Sequence, residues 1–357
     1  MRVLVLGGGT FVGRALVEAA VAAGHQVTTL TRSTPPPGAG TGVVEALFGD
    51  RRTPAGLGVL DRGRGDDTGG RDETVGRDET VGRDWDAVFD TWSGAPRVVR
   101  QSVTLLRDRV PYYSYVSSMS VYAEPMPAGS NESHPPVDAD AEADLTSYPA
   151  DKRGGELAVL EGYGDDHCLL ARAGLILGPH EGPGRLPWWL QRVAGGGEVL
   201  APGPADLPLQ YVDARDLAAW MVHCAEQQIA GAFNAVSESG HTTMGELLEV
   251  CRCVVGSTAK LVWVDPDFVV AQGIEPWMEL PIWLPPGPDH DAQSADTSRA
   301  AAAGLVCRPI GDTVSDTWQW LSDGGVPRAV PGRSAVGLAP EKEQSALAHW
   351  RSASLRR

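Results

Sequence analysis

The first thirty-two residues constrain this chain more than any other stretch. Val3 to Leu6 is a short apolar run with β-branched residues, cut off at once by glycine, and reads as a buried parallel strand. Gly7, Gly8, Gly9 and Gly13 follow, with Thr10, Phe11 and Val12 between them. Arg14 to Ala23 then has the apolar spacing of a helix, Gly24 closes it, and Gln26 to Thr31 reads as a second strand. Strand, glycine turn, helix and strand in this order form a dinucleotide-binding βαβ unit. The first glycine allows a tight turn, the middle ones let backbone N–H groups approach a pyrophosphate, and Gly13 lets the helix sit close on the strand.

The end of the second strand bears on which dinucleotide binds. A selector for NAD is an acid there, accepting from the adenosine 2′-hydroxyl. This strand ends Leu30-Thr31-Arg32, and a guanidinium suits a 2′-phosphate, so NADP(H) is the preferred cofactor and NAD(H) the alternative. A third strand over Val43 to Phe48 ends at Asp50 and Arg51, read as cofactor contacts on the adenine side.

Alternation continues with strands at 85–90, 112–117 and 168–176, and helices at 97–109 and 148–162. The class is therefore α/β, a Rossmann-type doubly wound parallel sheet. Between strands lies Gly-Arg-Asp-Glu-Thr-Val at 70–75, again at 76–81, and begun once more at Gly82. The segment 61–84 has almost no large apolar residues and is expected to be a disordered surface insertion.

With 357 residues the chain can hold two unequal domains, and its net charge of −16 argues against nucleic acid or an anionic membrane as partner. Five scattered cysteines make no disulfide framework, and no His or Cys spacing suggests a metal. Cys251-x-Cys253 reads as helix-face packing. There is no long apolar run and no signal-peptide pattern, so a cytoplasmic protein is expected.

Ser118, Tyr148 and Lys152 are the candidate catalytic residues. Tyr148 and Lys152 are four apart on one helix face, where an ammonium favours phenolate. Such a tyrosine exchanges a proton with an alcohol or carbonyl while hydride moves to or from nicotinamide. Thr91 and Trp92, past the fourth strand, fall near the expected nicotinamide side.

With Ser117-Ser118-Met-Ser120-Val-Tyr122 one element before Tyr148-x-x-x-Lys152, the chain resembles the extended short-chain dehydrogenase/reductases, the nucleotide-sugar epimerase/dehydratase superfamily. The resemblance covers about residues 1–325 apart from the repeats. It implies that Gly7 to Gly13 hold the phosphates, Ser118 holds the reacting oxygen, Tyr148 is the general acid/base and Lys152 also holds the nicotinamide ribose. It implies a cofactor domain over 1–174, a substrate domain mainly over 175–325 with 210–230 returning to the first, and a tail with a helix over 326–357. It also implies a homodimer through the helices near 97–109 and 148–162. The glycine loop and Thr31-Arg32 are closer to the atypical branch with isoflavone-reductase-like and stem-loop RNA-binding-like proteins, some of which have lost catalytic residues kept here.

Relatives that dehydrate carry acids after the catalytic serine position, where this chain has Met119-Ser120, so dehydration is not expected. Epimerases of nucleotide sugars place a diphosphate-clamping arginine before the return segment, where this chain has Pro208-Leu209-Gln210. Ser118 and Ser120, with Trp188, Trp277 and Trp283, are the substrate-side candidates, the tryptophans reading either as a lid or as core. His180, His241 and His290 are auxiliary acid/base candidates, with Asp289-His290-Asp291 read as a solvated loop. Gly231 to Val236 is read as a strand entering the second domain, and Leu347 and Trp350 as a sticky face on a final helix. The leading function is an NADP(H)-preferring oxidoreductase that interconverts a secondary alcohol and a ketone on a small organic substrate. An epimerase with resident nicotinamide and a non-catalytic cofactor-sensing or RNA-binding relative are the alternatives.

Overall fold

The first strand, β1 (Arg2–Leu6), is buried from Val3 onward because β-branched and leucine side chains face packed layers on both sides. A computed structural model describes residues 1–32, 43–60, 85–327 and 335–355. The GRDETV repeats, the Pro-rich stretch after Arg32 and Arg356-Arg357 lie outside the described residues. After β1 come α1 (Phe11–Ala22), β2 (Gln26–Thr31), β3 (Val43–Phe48), α2 (Pro54–Leu57), β4 (Ala87–Asp90), α3 (Pro96–Leu106), β5 (Tyr113–Ser118), α4 (Tyr148–Tyr163) and β6 (Cys168–Ala173).

These strands form one sheet in the order β6-β5-β4-β1-β2-β3, paired in parallel, with the strand Gly231–Ala235 beside β6. The order reverses between β1 and β4, so the ends of those two strands form the switch point where open α/β sheets hold ligands. Gly231–Ala235 is thus the seventh strand of the main sheet, and the chain passes from the first compact unit to the second within it, after Phe233. Its alternation of small and apolar residues could not reveal which sheet it joins.

The chain divides into two compact units. The first comprises Met1–Ala123, Pro135–Ala173 and Leu217–Phe233; its core includes Leu4, Leu6, Val88, Val99, Leu106, Tyr113, Tyr115, Val159 and Leu170. Helices α3 and α4 lie close together because Gly162 has no Cβ to meet Val103 and Gly154 none to meet Pro96.

The second unit comprises Glu124–His134, Gly174–Asp216 and Asn234–Arg357. Its core gathers Trp189, Trp283, Tyr211, Leu186, Leu247, Leu248 and Val314. The helix Met244–Val254 starts as the sequence suggests, with the Thr243 hydroxyl accepting from the Glu246 N–H. The last helix, Pro340–Ser354, packs on its own unit: Ala346 and Leu347 are buried, Trp350 meets Phe268, and Glu343 accepts from Arg192 and from the Leu200 N–H. Among the described residues no helix is long and apolar enough to cross a membrane, and no group of His, Cys, Asp or Glu could hold a metal ion. The five cysteines are free thiols.

Candidate functional site

The glycine loop is built by close approaches that a side chain would obstruct. A Cβ at Gly13 would run into the Gly7 carbonyl, so the first turn of α1 sits against the end of β1 only with glycine there. Gly7 has a φ of +101° and its N–H donates to the Leu30 carbonyl of β2. Thr91, past the end of β4, donates from its hydroxyl to the Leu6 carbonyl at 3.0 Å and so ties the two sides of the switch point together.

This loop fits a dinucleotide pyrophosphate. A Cβ at Gly9 would meet only a Thr31 methyl at 3.7 Å, so the backbone here presents an accessible face. Thr10, the cap residue of α1, is exposed and makes no side-chain cap hydrogen bond, which leaves the first-turn N–H groups of α1 for an anion. Val12 is buried behind the loop. Phe11 takes a φ of +36°, a left-handed backbone more natural to glycine, at the point where the loop becomes helix.

On the adenine side, Arg32 is exposed just past β2. Asp50 accepts from the Arg52 guanidinium at 2.5–3.0 Å, and this bond, with a smaller contribution from the Arg32 charge, holds its carboxyl down at about 2. Arg51 corrects the sequence reading. It turns inward rather than toward a ligand, is 6 % exposed, and makes a two-pronged ion pair with Asp90 at 2.5 and 2.7 Å. Its third contact is the Ser102 hydroxyl of α3 at 2.8 Å. Adjacent arginines in a sequence carry no mark of which one faces the interior.

Asp90 closes β4 and is fully buried. Burial works to raise its pKa, but the Arg51 guanidinium, the Tyr113 hydroxyl at 2.6 Å and the Trp92 N–H at 2.9 Å outweigh it and keep the carboxyl below the ordinary range. Burial first, and the Asp90 charge second, push the Tyr113 and Tyr115 phenols well above the usual tyrosine value, so both stay protonated donors.

The candidate catalytic side chains stand on this base. Ser118 is the last residue of β5; its Oγ accepts from the Ser120 N–H at 3.1 Å and lies 3.2 Å from Ser120 Oγ. Tyr148 opens α4, behind the Ser147 cap and before Pro149, in a helix start that proline at this place pre-organises. Its side chain is 37 % exposed, unlike every tyrosine of β5. Lys152, one turn on, is buried; its Nζ donates to the Trp92 carbonyl at 2.5 Å and the Val116 carbonyl at 2.6 Å and lies over the Tyr115 ring. Gly155 makes this approach possible, since a Cβ there would strike the Tyr115 hydroxyl. The backbone that carries Trp92 therefore holds the lysine.

A second buried cluster steadies α4 against the sheet. Glu156 accepts from Arg172 of β6 at 2.9 and 3.0 Å, from Arg153 at 2.8 Å and from the Ser117 hydroxyl at 2.7 Å, while Arg172 donates to the Tyr122 hydroxyl. Sequence reasoning missed Asp90, Tyr115 and Glu156; the one available signal was an acid ending the otherwise apolar run Ala87-Val-Phe-Asp90.

In the second unit the substrate-side candidates separate. Trp283 is fully buried and donates to the Gly203 carbonyl at 3.0 Å, so of the two readings, lid or core, it is core, with its polar edge satisfied inside. Trp188 packs edge-on against buried Trp189. Trp277 is partly exposed, has a φ of +65° and lies under the Arg185 guanidinium. His290 is 7 % exposed on the short helix Pro288–Asp291, with its Nε2 2.9 Å from the Pro208 carbonyl, so this stretch is not a solvated loop. His241 Nε2 meets the Arg308 carbonyl at 3.0 Å, and His180 stacks near Trp320. Gln210, in the segment where nucleotide-sugar epimerases place a clamping arginine, is buried and bonded to the Ser237 carbonyl and both backbone groups of Ala295. Arg215 pairs with Asp213 and Asp316.

A doubly wound sheet with a glycine loop at its switch point defines a dinucleotide-binding architecture, and comparison with solved structures narrows it. The chain has the fold of the NAD-dependent nucleotide-sugar epimerases. It is similar to UDP-glucuronic acid 4-epimerase from Bacillus cereus in complex with NAD, at a TM-score of 0.61 and 14 % identity, covering 90 % of this chain and 99 % of that one. The enzyme WbmH of Bordetella bronchiseptica in complex with NAD+ aligns at a TM-score of 0.64 and 16 % identity over 91 % and 99 %. UDP-glucose 4-epimerase of Thermus thermophilus, complexed with NAD, aligns at 0.59 and 20 % over 89 % and 99 %. No protein-family model matches the sequence, and no curated protein matches it.

Proposed function

We propose that this chain is an NAD(P)-dependent enzyme that interconverts a secondary alcohol and a ketone, with Tyr148 as general acid/base, Ser118 holding the reacting oxygen and Lys152 supporting the tyrosine. The observation that carries the reading is the half-exposed Tyr148 phenol one helical turn from the buried Lys152 ammonium, in the unit that bears the glycine loop. A nicotinamide dinucleotide on that loop supplies the hydride acceptor and donor. Gly7 to Gly13 and the first turn of α1 would hold its phosphates, with Arg32 and Asp50 toward the adenosine. Tyr148 Oη would take the hydroxyl proton as the alcohol is oxidised and return it on reduction. An ammonium near the phenol would favour the phenolate that takes this proton and that is left again when the proton is returned.

The fold neighbours that act on UDP-sugars support the epimerase form of this reading, in which one carbon is oxidised and re-reduced with no net change of cofactor. The substrate would then be a sugar or another polyol. The buried Gln210 disfavours a diphosphate clamp at that place, which weighs against a nucleotide sugar as such.

A net NADP(H)-dependent reductase is the second reading, and Arg32 favours it. The two separate in one assay: the protein is incubated with UDP-glucose, UDP-glucuronic acid and a panel of free sugars and secondary alcohols, with bound and added nicotinamide followed by absorbance and products by chromatography. Epimerised product without accumulation of reduced cofactor supports the first; stoichiometric nicotinamide turnover supports the second. Activity that survives Tyr148→Phe would remove both. For cofactor choice, calorimetry on wild type and Arg32→Ala is decisive. Arg32 is the selector if NADP+ binds at least about tenfold more tightly, near 1.4 kcal/mol, and the variant loses that margin.

A further inference from the structure

We infer that the buried Arg51–Asp90 ion pair is a positioning device for Lys152, acting through the backbone of Trp92. The inference rests on the proposed role of Lys152 beside Tyr148. Trp92 is held at four points, all within the first unit. Its N–H donates to Asp90 Oδ1 at 2.9 Å, its ring lies under the Arg51 guanidinium, and its indole N–H donates to the Ala95 carbonyl at 3.0 Å. Its own carbonyl accepts both Lys152 Nζ at 2.5 Å and the Tyr115 hydroxyl at 3.1 Å.

A residue just past a strand end is ordinarily free to move with its loop. Here the carboxylate that closes β4 folds back on that loop, and the guanidinium from the far side of β1 fixes the carboxylate. Arg51 reaches from beyond β3, Asp90 from β4 and Lys152 from α4, so three separate elements meet on one residue: Asp90 on the Trp92 N–H, Arg51 over its ring and Lys152 on its carbonyl. A residue fixed in this way steadies one of the two carbonyls that hold the ammonium, the other being that of Val116 in β5 at 2.6 Å, and a lysine that is to act on a phenol one turn away needs both. A buried pair is a weak source of stability in itself, since desolvation offsets much of its attraction; specifying geometry is the better-attested use.

The sequence makes a clean test possible because the chain has only three lysines, Lys152, Lys260 and Lys342. The full-length protein is treated with limiting acetic anhydride and the extent of labelling at each lysine is read by peptide mass spectrometry. In wild type, Lys152 is expected to react far more slowly than the exposed Lys260. In Asp90→Asn, which keeps the size of the side chain, and in Arg51→Met, the Lys152-to-Lys260 ratio should rise at least about tenfold as the peptide loosens.

Either single change leaves a buried charge without its partner, so the paired variant Arg51→Met/Asp90→Leu, which buries no charge at this place, is measured alongside and should show the same rise. In the charge-free paired variant kcat for the alcohol–ketone step should fall with KM little changed, a split that a merely structural pair would leave unmoved. An unchanged labelling ratio in the folded paired variant overturns the inference. Failure of the wild-type protein to bind NAD+ or NADP+ would instead remove the enzymatic reading and leave the labelling result standing.

Discussion

The two units bury their charges in different places. In the first, Asp90, Arg51, Lys152, Glu156 and Arg172 are gathered near the C-terminal ends of β4, β5 and β6 and on the face of α4 that meets them. In the second, Glu181 caps the helix Arg185–Ala194 by accepting from the Arg185 and Leu186 N–H groups, Glu343 staples the last helix, and Asp213 joins Arg215 and Thr313. In the first unit Asp90 and Arg51 converge on the residue that holds Lys152, while Glu156 and Arg172 steady α4; in the second the buried charges hold helices and loops.

The sharpest way to break that contrast is Tyr148→Phe. It removes one hydroxyl from a residue that is 37 % exposed, and turnover is expected to fall by ~10²–10⁴-fold while the melting temperature and dinucleotide affinity stay close to wild type. The reverse experiment is Trp283→Ala. This side chain is wholly inside the second unit, so its loss should cost about 3–5 kcal/mol of stability in denaturant unfolding, with NAD(P) affinity at the glycine loop preserved in the folded fraction. A large loss of affinity with little loss of stability would contradict the assignment of Trp283 to the core.

A smaller effect separates the two kinds of buried charge by pH. Burial pushes the Glu181 carboxyl up to about 7, against an ordinary value of 4.5, and the nearby Arg185 only partly offsets this. A carboxyl raised in the folded state favours folding at low pH and loses that advantage as pH rises toward the folded value. Glu181→Gln should therefore gain stability relative to wild type between about pH 4.5 and 7, by up to about 3 kcal/mol, with the cap bonds partly kept by its amide oxygen. Asp90 has the opposite sign: its carboxyl is lowered in the folded state, and the stability it confers is lost only as pH falls below the ordinary carboxylate range. Melting curves of wild type and Glu181→Gln at pH 5 and 8, and of wild type and Asp90→Asn at pH 3 and 6, check the two directions.

The same contrast explains what the sequence could disclose. The βαβ opening was legible because glycine spacing, strand length and helix period agree over residues 2–31, and the observed β2 and β3 limits coincide with the predicted ones. Tyr148 and Lys152 were legible because a fixed spacing on one helix carries a chemical meaning. Arg51 was misread because orientation past a strand end depends on Asp90, thirty-nine positions away. Trp283 could be read as lid or core and His290 was placed in a solvated loop, because an aromatic or imidazole in a Pro-rich stretch looks alike whether its polar edge faces water or the Gly203 and Pro208 carbonyls. That Gly231–Ala235 joins the main sheet beside β6 was not legible because strand pairing is nonlocal.

The most direct test of the account is calorimetric titration of nucleotide-stripped protein with NAD+ and with NADP+, on wild type and on Gly13→Ala. Wild type is predicted to bind at least one dinucleotide at one site per chain, and the variant, whose added methyl meets the Gly7 carbonyl, to bind it markedly less tightly. A folded wild-type protein that binds neither, or a folded Gly13→Ala that binds as well as wild type, would contradict the assignment of the glycine loop as the cofactor cradle.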